Sequence, residues 1–141
     1  MTTHRPTQDD PFTMVLEPVP EAVGQARDLV GTVFAGWGLD ADTARLIVSE
    51  LATNAVRVCA PDQYVVVRAH LTGSVPTIEV WDCSDETPVA GDPGLTDESG
   101  RGLLLVGLLS SRWGVRPRTE GGKVVWAELP GDPGTAAPAR P

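Results

Sequence analysis

The sharpest chemical pattern in this chain lies on one predicted helix. Glu50 and Asn54 are four residues apart and Arg57 is three further on. Those spacings place all three on one helical face. The opposite stripe is apolar, with Ala44, Ile47, Val48, Leu51, Ala55 and Val58. A carboxylate and a carboxamide one turn apart offer oxygen ligands to a hard cation and its waters. The carboxylate can also take a proton from a hydroxyl or a water. The plainer alternative is the wet face of an amphipathic helix, and spacing alone favours it.

Two further positions invite chemistry. Asp82 closes a strand pattern, and a carboxylate there can accept a hydrogen bond from an exocyclic amine such as that of adenine. A turn-capping Asp is the common alternative. Gly100-Arg101-Gly102 runs directly into the apolar stretch 103–109. Glycines admit close backbone approach and positive φ. A helix start offers unpaired N–H groups to phosphate, and Arg101 would add charge. An ordinary loop-to-helix turn has the same composition. It is not a Walker loop, because the chain has no G-x-x-x-x-G-K-[ST]. It follows a loop rather than a strand, which argues against a Rossmann fingerprint. Other chemistries lack their residues. His4, His70, Cys59 and Cys83 have no metal-ligand spacing, and the cysteines read as reduced thiols. Ser110-Ser111 lacks a nucleophile elbow. Trp37, Trp81, Trp113 and Trp126 read as core or edge anchors.

These residues need elements to position them. Residues 12–17 read as a strand. Ala22, Ala26, Leu29, Val30 and Val33 recur at helical spacing from Pro20-Glu21 to Phe34, and Gly36 and Gly38 end that helix. Asp40 or Asp42 suits the N-cap of the helix carrying Glu50 and Asn54, and Pro61 stops it. Residues 64–71 and 77–81 form a predicted hairpin. Residues 103–109 are Leu-rich and poor in β-branched residues, which favours a helix starting at Leu103. Residues 114–118 and 123–129 form a last hairpin around Glu120-Gly121-Gly122. The order β-α-α-β-β-loop-α-β-β predicts an α/β sandwich of the two-layer α+β kind, a mixed and mostly antiparallel sheet with helices packed on one face.

Composition sets outer limits. The 141 residues fit one domain, and 41% hydrophobic with 21% charged is ordinary globular material. A net charge of -8 disfavours direct nucleic-acid binding. No apolar run reaches the length of a membrane span, and the N-terminus carries no secretory pattern; the expectation is a cytoplasmic protein. The 15 glycines and 13 prolines cluster. Many lie in segments 1–11 and 130–141, which are expected to be flexible tails. A third cluster, with Pro88, Gly91, Pro93 and Gly94, lies inside the chain. That stretch is also acidic: Asp82, Asp85, Glu86, Asp92, Asp97 and Glu98 have no Lys or Arg among them. Arg101, Arg112, Arg116, Arg118 and Lys123 follow, against Glu120.

Taken in order, the motifs resemble those of a known superfamily. Glu50-Leu51-Ala52-Thr53-Asn54-Ala55-Val56-Arg57 resembles the N-box of the GHKL ATPases, which include gyrase and the histidine kinases. Asp82-Cys83-Ser84-Asp85 is similar to their first glycine box and Gly100-Arg101-Gly102-Leu103 to their second. The small single-domain branch of bacterial anti-sigma-factor serine kinases, and the ATP-binding regulators abundant in actinobacteria, match best. Their ending resembles Ser111-Arg112-Trp113-Gly114 followed by Gly122-Lys123-Val124-Val125-Trp126. The similarity covers residues 12–129.

The resemblance implies a Bergerat fold that binds ATP and Mg²⁺. It implies Glu50 as the catalytic base, Asn54 as the Mg²⁺ ligand, and Asp82 as the acceptor from adenine. Arg57, Ser84, Gly100, Arg101, Gly102 and Leu103 complete the implied nucleotide-binding set, with residues 86–99 as an ATP lid. The implied partners are a sigma factor and a STAS-domain antagonist, the latter phosphorylated on serine. The alternative is a binding module of the same fold that sequesters a regulator, with nucleotide structural or absent. Related anti-sigma factors often form homodimers, although nothing in this sequence independently marks one. Two positions depart from the pattern: Ser84 stands where Gly is frequent, and Val58-Cys59 where many relatives have His-Ala.

Overall fold

The structure is a computed structural model, and it describes residues 12–85 and 97–131. The expected tails, save Pro130 and Gly131, and residues 86–96 of the expected lid lie outside the described residues. In chain order the elements are β1 (Thr13–Leu16), α1 (Glu21–Gly36), α2 (Ala41–Val58), β2 (Val65–Thr72), β3 (Val75–Asp82), α3 (Asp97–Leu109), β4 (Arg112–Pro117) and β5 (Lys123–Glu128). The strands form one sheet in the order β1-β2-β3-β5-β4. All four pairings are antiparallel, so among the described residues the sheet expected to be mixed has no parallel pair.

Alternation along the strands gives the sheet two faces. Val65, Val67, Ala69, Ile78, Val80, Val125 and Ala127 join the helices in the main core. From α1 that core takes Ala22, Ala26, Val30, Val33 and Phe34, and from α2 it takes Ala44, Ile47, Val48, Leu51, Ala52 and Ala55. The register through the centre of the sheet pairs Val67 with Val80 and Val80 with Val125. Asp40 is the N-cap of α2: its Oδ1 accepts from the Thr43 N–H at 3.1 Å and its Oδ2 from the Thr43 hydroxyl at 2.6 Å. The α2 helix stops at Val58, three residues before Pro61.

The α3 helix departs from expectation. It begins at Asp97 rather than Leu103, so Gly100-Arg101-Gly102 lies inside a helix and not in the turn leading to one. Glycine costs about 1 kcal/mol in a helix interior, which is why the sequence reads there as a break. The compensation is tertiary, because Gly102 is where α3 closes on α2. Among the described residues, no helix is long and apolar enough to cross a membrane.

The second face of the sheet carries a smaller apolar cluster of Val66, Trp81 and Val124, packed with Val15 and Tyr64. Beside it sits Glu79, only 5% exposed. It accepts from Trp81 Nε1 at 2.8 Å and from Arg116 at 3.3 Å, and it meets His70 Nε2 at 3.1 Å. Arg68 lies 3.7 Å away. Burial alone would raise the Glu79 pKa, but the bonds from His70 and Trp81 and the charge of Arg116 prevail and hold it at about 2. A depressed carboxylate contributes stability above its unfolded value and loses it as pH falls through the folded one. Urea midpoints of the wild type are therefore expected to fall between about pH 4.5 and pH 2. In Glu79→Gln that part of the decline should be absent, and an unchanged acid limb would show that Glu79 is not its source.

Candidate functional site

The apolar stripe of α2 fixes how its polar residues are presented. With Ile47, Val48, Leu51 and Ala55 buried, Glu50 and Asn54 are left half-buried at the rim and Arg57 is exposed. Arg57 Nη1 donates to Asn54 Oδ1 at 3.3 Å, so the carboxamide and the guanidinium share one exposed patch. Glu50 is covered from the other side. A Cβ on Gly102 would stand 2.5 Å from Glu50 Oε1, so only glycine lets α3 come this close without moving the carboxylate. Gly100 lies in the first turn of α3, where N–H groups lack intrahelical partners, with Arg101 next. Leu103 is buried in the main core.

The end of β3 is a second focus. Asp82 is 1% exposed and stands directly across the ladder from Lys123. Lys123 Nζ donates to Asp82 Oδ1 at 3.0 Å, and the Ser84 N–H donates to the same oxygen at 2.8 Å. Burial raises the Asp82 pKa, against the opposing pull of Lys123 and the Ser84 amide. The backbone here is clamped as well. Arg118 Nη1 donates to the Asp82 carbonyl at 2.9 Å, and its guanidinium lies 5.4 Å from the Trp81 ring centroid. Gly122, at φ +88, packs so closely on the Asp82 carbonyl that a Cβ would collide with it. The Gly122 N–H donates to Asp85 Oδ1 at 2.9 Å.

The two foci are neighbours. Cys59, the residue that follows α2, and Cys83, the residue that follows β3, both place their sulfurs 3.9 Å from the Tyr64 carbonyl oxygen. That convergence puts the last turns of α2, with Asn54 and Arg57, beside the Asp82-Cys83-Ser84 segment. Glu50 meets Gly102 through the α2–α3 packing. Sequence reasoning missed Lys123 as the partner of Asp82. The signal was its parity: Lys123 shares the inward-facing register of Val125, Ala127 and Leu129, and a cation at an inward position needs an anion. His70, read as a surface or half-buried residue, is half-buried against Glu79. Among the described residues, no three His, Cys, Asp or Glu side chains gather to hold a metal ion.

A five-stranded antiparallel sheet with its helices on one face, and polar residues of α2 beside the end of β3, defines a nucleotide-binding sandwich of the GHKL ATPase class. The family model for the histidine kinase-like ATPase domain matches residues 16–129, and the chain belongs to that family. A search of curated proteins finds no match.

Removing one member of a buried ion pair costs about 3–5 kcal/mol, whereas replacing both by apolar groups is often neutral. Lys123→Met is therefore expected to lose that much in urea denaturation, and Asp82→Leu/Lys123→Met to recover most of it. Equal losses in the two variants would show that the pair is not what couples these positions.

Proposed function

We propose that this ATP-binding domain is an anti-sigma factor with serine/threonine-protein kinase activity, phosphorylating a STAS-type antagonist on serine. The observation that carries the reading is the seating of Glu50. Its carboxylate is half-buried, fixed on a rigid helix and pressed against Gly102, which suits a base that must meet one hydroxyl in one geometry. Asn54, one turn on, would hold Mg²⁺. That ion would take its other ligands from nucleotide phosphates and water, the usual habit of Mg²⁺. Bound ATP would supply the phosphoryl group and Mg²⁺ would neutralise its charge. Arg57 adds positive charge beside Asn54. The N–H groups in the first turn of α3 face an anion favourably. Asp82 and Ser84 would address the adenine edge.

One observation favours the alternative of a sequestering module with nucleotide structural or absent. The Asp82 carboxylate is already engaged by Lys123 and by the Ser84 amide, a purely structural use of the residue. Fold alone does not choose between the two. The kinase reading also implies a soluble cytoplasmic regulator of transcription, in which sigma-factor binding and antagonist phosphorylation alternate.

Labelled ATP, Mg²⁺ and the STAS partner provide the test. Transfer to serine is expected, falling by about 10²–10⁴ in Glu50→Gln while ATP affinity stays within a few fold. Asn54→Ala should lose both. No transfer by the wild type, alongside tight sigma-factor binding, would overturn the kinase reading. Gly102→Ala is the sharper probe. Alanine is worth about 1 kcal/mol over glycine within a helix, and the clash falls on the movable end of Glu50. The melting temperature should hold while transfer drops to the level of Glu50→Gln. Full activity in Gly102→Ala would remove the positional argument for Glu50.

A further inference from the structure

The two cysteines, far apart in the sequence, converge in the fold. Cys59 follows the last residue of α2, and Cys83 follows the last residue of β3. Both sulfurs lie 3.9 Å from one atom, the Tyr64 carbonyl oxygen. Both residues are partly exposed thiols. This is neither a lone cysteine nor a core pair, but two thiols held at the junction of α2, β2 and β3.

We infer that Cys59 and Cys83 form a redox modification site, closing into an intramolecular disulfide that lowers nucleotide affinity. The oxidant is hydrogen peroxide. Arg118 Nη1 lies 4.0 Å from the Cys83 sulfur, and a neighbouring cation is the setting of reactive cysteines, so Cys83 is assigned as the attacking residue. Burial pushes the Cys59 thiol up, which suits it to the resolving role. The Cys83 thiolate attacks one peroxide oxygen, the O–O bond breaks, and the departing hydroxide takes a proton to become water. Cys83 is then a sulfenic acid. The Cys59 sulfur attacks that sulfur, the S–O bond breaks, and the oxygen leaves as a second water with the Cys59 proton. Two thiols lose two electrons, and one peroxide becomes two waters.

The consequence for nucleotide follows from position and rests on the reading proposed above. Cys83 is bonded to both Asp82 and Ser84, while Cys59 ends the helix that carries Asn54 and Arg57. A disulfide holds its two Cα atoms about 4.4–6.8 Å apart. The bond ties the end of α2 to a segment already clamped by Lys123, Arg118 and Gly122. Any adjustment that closure imposes on the Asp82-Cys83-Ser84 backbone is passed directly to the proposed adenine contacts.

The full chain is treated with hydrogen peroxide. Thiols are then counted in denaturant, cross-links are mapped by non-reducing peptide mass spectrometry, and Mg²⁺-ATP binding is measured by calorimetry. The two thiols of the chain should vanish, with Cys59 and Cys83 joined within one chain. Affinity should fall about tenfold, a typical coupling, and return with reductant. Cys59→Ser should leave a trappable sulfenic acid on Cys83 and no intrachain link. Persisting thiols, or a link only between chains, would overturn the site. Unchanged affinity in the disulfide form would overturn the regulation. Failure of the reduced protein to bind Mg²⁺-ATP would instead defeat the proposed function, because the peptide map decides the disulfide without nucleotide.

Discussion

Everything at the working edge of this domain hangs on a buried charge pair. Asp82 and Lys123 face each other across β3 and β5 with almost no access to water. Two charges taken out of water cost several kcal/mol each, and their mutual attraction offsets this only when the geometry is good and the remaining bonds are satisfied. Here the Ser84 amide supplies a second donor to the carboxylate, and the Ser84 carbonyl lies 3.4 Å from the lysine Nζ. The pair thus fixes the path of the chain as it leaves β3. Arg118 and Gly122 then close on the same peptide from the β4–β5 side. An apolar pair could match the stability of this arrangement. It could not place a carboxylate at the end of β3.

The other half of the edge is set by packing rather than charge. Burial of one stripe of α2 dictates which residues remain at the rim, and the absence of a side chain at Gly102 dictates how near α3 can come. The chemistry proposed for Glu50 is therefore a by-product of core geometry. The carboxylate is aimed because the helix beneath it cannot rotate without exposing Ile47, Val48 and Leu51. The same logic links α2 to β3 at the Tyr64 carbonyl oxygen, which lies 3.9 Å from the sulfurs of both Cys59 and Cys83.

Much of this was legible in the sequence, for identifiable reasons. Period 3.6 in α2, period 2 in the strands and the Asp40 cap are local signals, and the structure has all of them. The start of α3 was not legible, because a glycine required by a neighbouring helix looks like a glycine required by a turn. The Asp82–Lys123 pair lay halfway between these cases. Parity placed Lys123 inward, but naming its partner required the β3–β5 register across a long connection. Glu79 is similar: its four neighbours come from three strands, and nothing local marks a carboxylate that will be surrounded. The convergence of Cys59 and Cys83 is tertiary altogether.

The sheet's order has a consequence for how the protein meets its surroundings. The outer strands are β1 and β4. The first has only four residues. The second ends in Pro117, which has no N–H to offer, and it carries Arg112 and Arg116. Short length, proline and positive charge are the means by which natural sheets avoid edge-to-edge growth. A chain with this much exposed β structure would otherwise template its own aggregation. With its margins blunted, the domain is left to meet other molecules through its faces and its rim.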